Sequence, residues 1–268
     1  MKRQSNILKC LLCLFLFIST ILLSALDDHY PVTGEQMASS GLNLLAPSPG
    51  TVFLNPAIAS TGVSFAYSIP FFMPDISVSA FSCQSTWKHI SMGIGSQYIN
   101  EADYHENASY LNLQYISKNV IIGSNARYLW QKTDEYRSIN AFMSDFGIRV
   151  KYDPFQTAWV IRNAGKSKEG VIPLPESYQS EFAWNISKLL IISTGIEKKN
   201  DMEYMAGIRI AINPQLRIIN SYQFESHQLA FGAIINTKQY SINYGVKFHP
   251  YLNPSHSITI HYQFSKSN

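Results

Sequence analysis

HSITIHYQF, residues 256–264, decides the fold. Ile258, Ile260, Tyr262 and Phe264 alternate with Ser257, Thr259, His261 and Gln263. Successive side chains of a strand point to opposite faces, so this stretch has one apolar face and one polar face. The preceding stretch QYSINYGVKF (239–248) repeats the pattern, setting Tyr240, Ile242, Tyr244, Val246 and Phe248 against Ser241, Asn243, Gly245 and Lys247.

Working back toward the N-terminus, about fourteen such segments can be marked, near 61–69, 75–83, 87–99, 109–117, 119–131, 140–152, 155–162, 177–187, 189–198, 203–212, 215–224, 227–236, 239–248 and 256–264. Most run about nine to thirteen residues. A strand tilted through a bilayer needs roughly 9–11, whereas strands of soluble domains are nearer 5–6. The connections alternate as well. NEADYHENA (100–108), KTDEYRSI (132–139), NAGKSKEGVIPLPE (163–176) and HPYLNPS (249–255) are long, while SKN (117–119), YDPF (152–155), SK (187–188) and NPQ (213–215) are short. Outer-membrane barrels have short periplasmic turns and longer external loops, and an even strand number puts both chain ends on the periplasmic side.

Aromatic residues at segment ends (Tyr67, Trp87, Tyr98, Tyr115, Trp130, Tyr152, Trp159, Tyr204 and Phe248) fit interfacial girdles, although β-propensity alone also enriches them. The cations Arg149, Lys151, Arg209, Arg217 and Lys247 fall on the less apolar faces, which fits an interior holding water or a polar plug. The expected fold is therefore all-β: a transmembrane antiparallel β-barrel of about 14 strands, spanning residues 61–268.

Residues 1–25 read as a secretory signal peptide: Lys2, Arg3 and Lys9, then the apolar run CLLCLFLFISTILL, then Ser24-Ala25 before LDDHY. An uncleaved membrane anchor is the rival reading. Cleavage after Ala25 leaves 18 basic against 18 acidic residues, so no net basic charge remains for nucleic acid. It also leaves Cys83 alone, so no intrachain disulfide can form.

Residues 26–60 contain EQMASSGLNLLAPSPGTVFLNPAIAS, apolar enough to be buried yet without strand alternation. Asn55 followed by Pro56 is a turn or helix start, in which Asn caps the first turn and Pro tolerates its first position. At Phe53, Asn55, Pro56 and Ala57 the chain resembles the PorV/PorQ-like outer-membrane proteins related to the FadL transporters, whose N-terminal hatch carries an aromatic followed by Asn-Pro-Ala. SDFGIRVKYDPFQTAWVIRNAG (144–165), IPLPESYQSEFAWNIS (172–187) and the C-terminal strand with Ile260, Tyr262 and Phe264 resemble the same family. The sequence departs from it at PSPG (47–50), at Ile58 and in the tail SKSN (265–268).

The resemblance implies a fourteen-stranded bacterial outer-membrane barrel with the N-terminal segment inside the lumen as a hatch. Residues 50–59 would plug the periplasmic half, Asn55 satisfying backbone groups and Pro56 fixing the exit toward the first strand. It implies two functions: transport of hydrophobic compounds, or secretion and surface attachment of proteins. The implied partners are outer-membrane lipids, the barrel-assembly machinery reading Ile260, Tyr262 and Phe264, and either secreted proteins or hydrophobic small molecules.

No cofactor and no metal is expected, because His29, His89, His105, His227, His249, His256 and His261 form no metal-ligand spacing. An enzymatic barrel, lipase- or protease-like, is the alternative. Its nearest candidate is His256 beside Ser255 and Ser257, but neighbours on a strand point to opposite faces. A purely structural barrel and a soluble sandwich complete the alternatives.

Overall fold

The computed structural model describes residues 32–101, 104–133, 138–165, 168–169 and 172–264. The signal-peptide reading, residues 26–31 and the SKSN tail lie outside them.

Sixteen strands are described: β1 (Gly62–Ile69), β2 (Ile76–Trp87), β3 (Ile90–Glu101), β4 (Tyr104–Ile116), β5 (Val120–Thr133), β6 (Ile139–Tyr152), β7 (Phe155–Arg162), β8 (Lys168–Glu169), β9 (Ile172–Pro173), β10 (Ser177–Asn185), β11 (Leu190–Lys198), β12 (Met202–Ala211), β13 (Leu216–Gln223), β14 (Gln228–Asn236), β15 (Tyr240–Phe248) and β16 (Ser255–Tyr262). β8 and β9 form a separate two-stranded ribbon, and the other fourteen close into one barrel, each strand antiparallel to its neighbours. The seam joins the first strand to the last, from Val63 opposite Tyr262 to Ile69 opposite His256. A closed sheet leaves no unpaired edge, which is what allows strands to sit in lipid.

The alternation read from residues 256–264 sets which way each side chain points. Ser255, Ser257, Thr259 and His261 are at most 3% exposed, while Ile258 and Ile260 between them are 47% and 51% exposed. In β1, Phe65 and Tyr67 are exposed while Ser64, Ala66 and Ser68 are buried. Apolar side chains outside and polar ones inside is the reverse of a soluble protein, and it excludes the sandwich, whose apolar rows would meet each other.

Lys88–His89, Ser117–Asn119, Asp153–Pro154, Ile186–Leu189, Ile212–Gln215 and Thr237–Gln239 turn the chain at one end, next to Gly62 and Tyr262. We call this the turn end, and the opposite end the loop end. Two expected boundaries move. β2 runs on to Trp87 and turns at Lys88, whose φ of 54° is left-handed, so the first hairpin turns without the Gly or Asn that would have marked it. Strands also continue into NEADYHENA and KTDEYRSI, because polar side chains there pair along and across strands: Tyr98 with His105 at 3.3 Å, and Gln131 with Glu106 at 3.0 Å. The wall from β2 to β6 is therefore built of strands of 12–14 residues. The aromatic-girdle reading fits Trp87 and Tyr115, which are exposed, but not Trp159, which is only 6% exposed.

Ahead of β1 the chain forms helix α1 (Gly34–Ala38) and a 3₁₀ turn over Pro49–Phe53. α1 begins in a capping box: Thr33 Oγ1 accepts from Gln36 N at 3.3 Å, and Gln36 Oε1 accepts from Thr33 N at 3.2 Å.

Candidate functional site

The segment from Val32 to Ile58 is buried throughout except Gly41 and Pro47, which are partly so, and it contacts inward-facing residues around the wall. Close approach is made possible by glycines on the inner face of the strands. A Cβ at Gly95 on β3 would lie 2.9 Å from the Phe53 ring, one at Gly195 on β11 would lie 2.8 Å from Leu42, and one at Gly207 on β12 would lie 2.7 Å from Leu45. Gly123 and Gly147 are tighter still, against Pro56 O and Asn55 Oδ1.

An irregular segment inside a barrel must place its backbone polar groups on partners. The wall supplies them. Glu181 on β10 accepts from the backbone N–H groups of Asn43 and Leu44, both at 2.8 Å. Arg162 on β7 donates Nε to Leu54 O at 2.7 Å, and Arg209 on β12 donates to Leu45 O at 2.5 Å. Asn125 reaches Val52 O at 2.9 Å, Ser221 reaches Ala38 O at 2.8 Å, and Thr259 accepts from Gly34 N at 2.8 Å.

Part of the charge inside the wall is paired. Glu35 on α1 lies 3.0 Å from His261 Nε2 and accepts from Ser48 and Asn243 at 2.5 and 2.9 Å. Burial alone would raise the Glu35 carboxyl; the charge of His261, with hydrogen bonds from His261, Ser48 and Asn243, outweighs it and brings the group down to about 2. Arg149, Arg209 and Lys247 point into the barrel as their alternation required, Arg149 onto Gln156 at 2.6 Å and Lys247 onto Gln223 at 2.6 Å.

The four motif residues sit together. Phe53 is 3% exposed and meets the Tyr110 ring edge to face, centroids 5.1 Å apart. Asn55 Oδ1 accepts from Ala57 N at 3.0 Å, closing a turn, and Nδ2 reaches Trp159 O at 3.4 Å. Pro56 O accepts from Gln114 at 2.6 Å and from Asn112 at 3.2 Å. Ala57 is fully buried, and a Cβ added at Gly147 on β6 would lie 3.2 Å from its backbone N. Ile260 and Tyr262 lie on β16, and Phe264 follows it with its ring 6.0 Å from that of Tyr262. Sequence reading passed over Glu35, Glu181 and the role of Arg162. The only signal for them was a charged residue at an inward position, a signal shared by every solvated lumen residue.

Between this segment and the loop end lies a cavity of about 800 Å³. Its floor is Ser40, Gly41 and Leu54, and its mouth includes Asn200, Ser226, Tyr251 and Leu252 from three loops. The opposite half of the interior, walled by β2 to β6, is filled by Val78, Tyr110, Leu129 and Met143 packed with Val52 and Phe53 under Leu174. The open half is polar. Arg162 spans floor and cavity: besides Leu54 O, it bonds Glu197 at 2.8 Å, Ser177 at 3.3 Å, and Gln179.

The serine–histidine candidate is arranged differently from its sequence reading. His256 Nδ1 meets Tyr244 OH at 2.6 Å, and Ser255 instead meets His249 Nε2 at 2.9 Å. Ser255 Oγ is fully buried and also accepts from Phe71 N at 2.9 Å, so it is held as a loop brace rather than presented to a substrate.

No protein-family model and no curated protein matches the chain. Solved structures do. The toluene transporter TbuX of Ralstonia pickettii superposes with a TM-score of 0.63 at 10% identity, over 87% of this chain and 98% of that one. A FadL homologue of Pseudomonas aeruginosa gives 0.62 at 8% identity, over 91% and 100%. A TodX monoaromatic hydrocarbon channel mutant gives 0.66 at 10% identity, over 87% and 99%. The fold, a closed antiparallel barrel apolar on its outside, is the one these outer-membrane transporters share.

Proposed function

We propose that the protein is a passage for small molecules across the bacterial outer membrane, shut by residues 32–60 acting as a hatch and loaded from the cavity at the loop end. The observation that carries this is the position of the cavity: its floor is the hatch itself, so a bound solute touches Ser40, Gly41 and Leu54 directly. In this reading the turn end is periplasmic and the loop end external. The similar structures include a toluene transporter and a monoaromatic hydrocarbon channel, which supports cargo with an apolar part over secretion or surface attachment of proteins. The protein acts without bond chemistry of its own. Ile260, Tyr262 and Phe264 serve recognition by the barrel-assembly machinery.

Reconstitution of the full chain in lipid vesicles tests the reading. Entry of small aromatic solutes above the rate of protein-free vesicles is expected, with sugars of similar size excluded. Equal rates with and without protein would overturn it.

A further inference from the structure

The cavity is too highly charged for a hydrocarbon. Arg162 and Glu197 neutralise each other at 2.8 Å, with Lys199 3.9 Å from the same Glu197 oxygen, and the rest of the lining has both signs: Lys247 against Asp201, Glu203 and Glu225. Lys247 lies within electrostatic reach of Lys199, Glu197 and Glu203. Its ammonium has three N–H donors, one of which goes to Gln223. Glu203 Oε1 accepts from Glu225 N at 3.1 Å, and its carboxylate, which also faces the Ser226 and Glu225 side chains, keeps acceptor sites for a ligand.

A purely apolar solute here would strip water from an ammonium and a carboxylate and return nothing to either. An anion would satisfy Lys247 and face the acids, and a cation the reverse. A solute carrying both charges satisfies both. The cavity also has an apolar share, with Leu54 in the floor and Phe71, Met202 and Tyr251 higher up, and its volume falls within the range of small-molecule sites.

We infer that the cavity binds a zwitterion bearing an apolar group, of the kind of an aromatic or aliphatic α-amino acid or short peptide, with its carboxylate toward Lys247 and its ammonium toward Glu203. This rests on the transport reading for its purpose but not for its test, which measures binding alone.

The test is calorimetric titration of the purified full chain at neutral pH with four ligands sharing one ring: L-phenylalanine, 3-phenylpropionate, phenethylamine and 3-phenylpropanol. L-Phenylalanine is expected to bind about tenfold or more tighter than the other three, roughly 1.4 kcal/mol. Lys247→Gln should bring it to within about threefold of phenethylamine, and Glu203→Gln to within about threefold of 3-phenylpropionate, differences well below that tenfold step. The neutral alcohol binding as tightly as the amino acid, selectivity unmoved by both substitutions, or binding of none of the four would each overturn the inference. Vesicle entry of an uncharged aromatic without amino-acid binding would leave the transport reading standing and this one refuted.

Discussion

Arg162 Nε donates to the carbonyl of Leu54 at 2.7 Å, so one wall side chain ties the floor of the cavity to the segment that closes the barrel. The guanidinium is 2% exposed and divides its other donors among Ser177, Gln179 and Glu197. Arg162→Met removes the cation and leaves Glu197 and Leu54 O without it. Breaking one side of a buried pair costs about 3–5 kcal/mol, and that loss should appear in denaturant unfolding of the vesicle-inserted protein followed by tryptophan fluorescence. Arg162→Lys should fall between, since a point charge cannot reproduce the planar fork across four acceptors. A loss below about 1 kcal/mol for Arg162→Met would show that the contact contributes little, as exposed pairs do.

The wall glycines predict a different failure. Gly147 faces Asn55 Oδ1 so closely that any β-carbon must displace it. Gly147→Val should leave the barrel closed but wedge the 52–58 turn away from β6. Overpacking of this kind costs about 1–3 kcal/mol, read as about tenfold or faster hydrogen exchange at the backbone amides of Leu54, Asn55 and Ala57. Phe146→Leu, one residue away on the exposed face, should leave those amides unchanged. Equal effects from both would mean that the loss is general to β6 rather than specific to the contact.

The barrel was legible in the sequence because its signal is repeated on every strand: the period-2 pattern at 256–264 recurs with long and short connections in alternation, and each copy corroborates the others. The first hairpin was not, because Lys88 adopts a left-handed conformation that its residue type does not advertise. The interior was legible only in part. Asn55-Pro56 announced a turn, and its neighbourhood could be read as buried. That Glu181 accepts from Asn43 and Leu44, 138 and 137 residues away, could not be. Such a pairing depends on how far the segment travels inside the wall, a distance set by tertiary packing and by no local periodicity.

Glu35 gives the hatch an acid limit. Its carboxyl titrates near 2 in the folded protein against an ordinary 4.5. A depressed carboxylate stabilises the folded arrangement above its ordinary value, and that contribution drains away as pH falls from about 4.5 through about 2. Amide exchange at Met37, Ala38 and Ser39 should therefore be flat from neutral pH down to about 4.5 and, after correction for intrinsic rates, should accelerate below it. Glu35→Gln should abolish that acid step. Persistence of the step in the variant would assign it to another carboxylate.

Leu111 and Asn112 are consecutive on β4 and 55% and 0% exposed, so they separate lipid from interior by a single residue. In lipid, Leu111→Arg places a charge against hydrocarbon and should cost about 2–4 kcal/mol near the midplane, less toward either interface. Asn112→Leu is nearly isosteric and more apolar, yet it deletes donors to Pro56 O at 3.2 Å and Asn125 Oδ1 at 2.8 Å. Pro56 O keeps its bond from Gln114, but leaving the buried Asn125 Oδ1 without this donor costs about 1–3 kcal/mol, so the apolar substitution should destabilise as well. In a soluble protein the sign at Leu111 would reverse, because arginine at a half-exposed site facing water would be tolerated, while the cost at Asn112 would remain. Unfolding of both variants from lipid vesicles, measured beside the parent, decides it: a stable Leu111→Arg protein would place the apolar face of β4 in water, and an unperturbed Asn112→Leu one would show that its buried bonds contribute little.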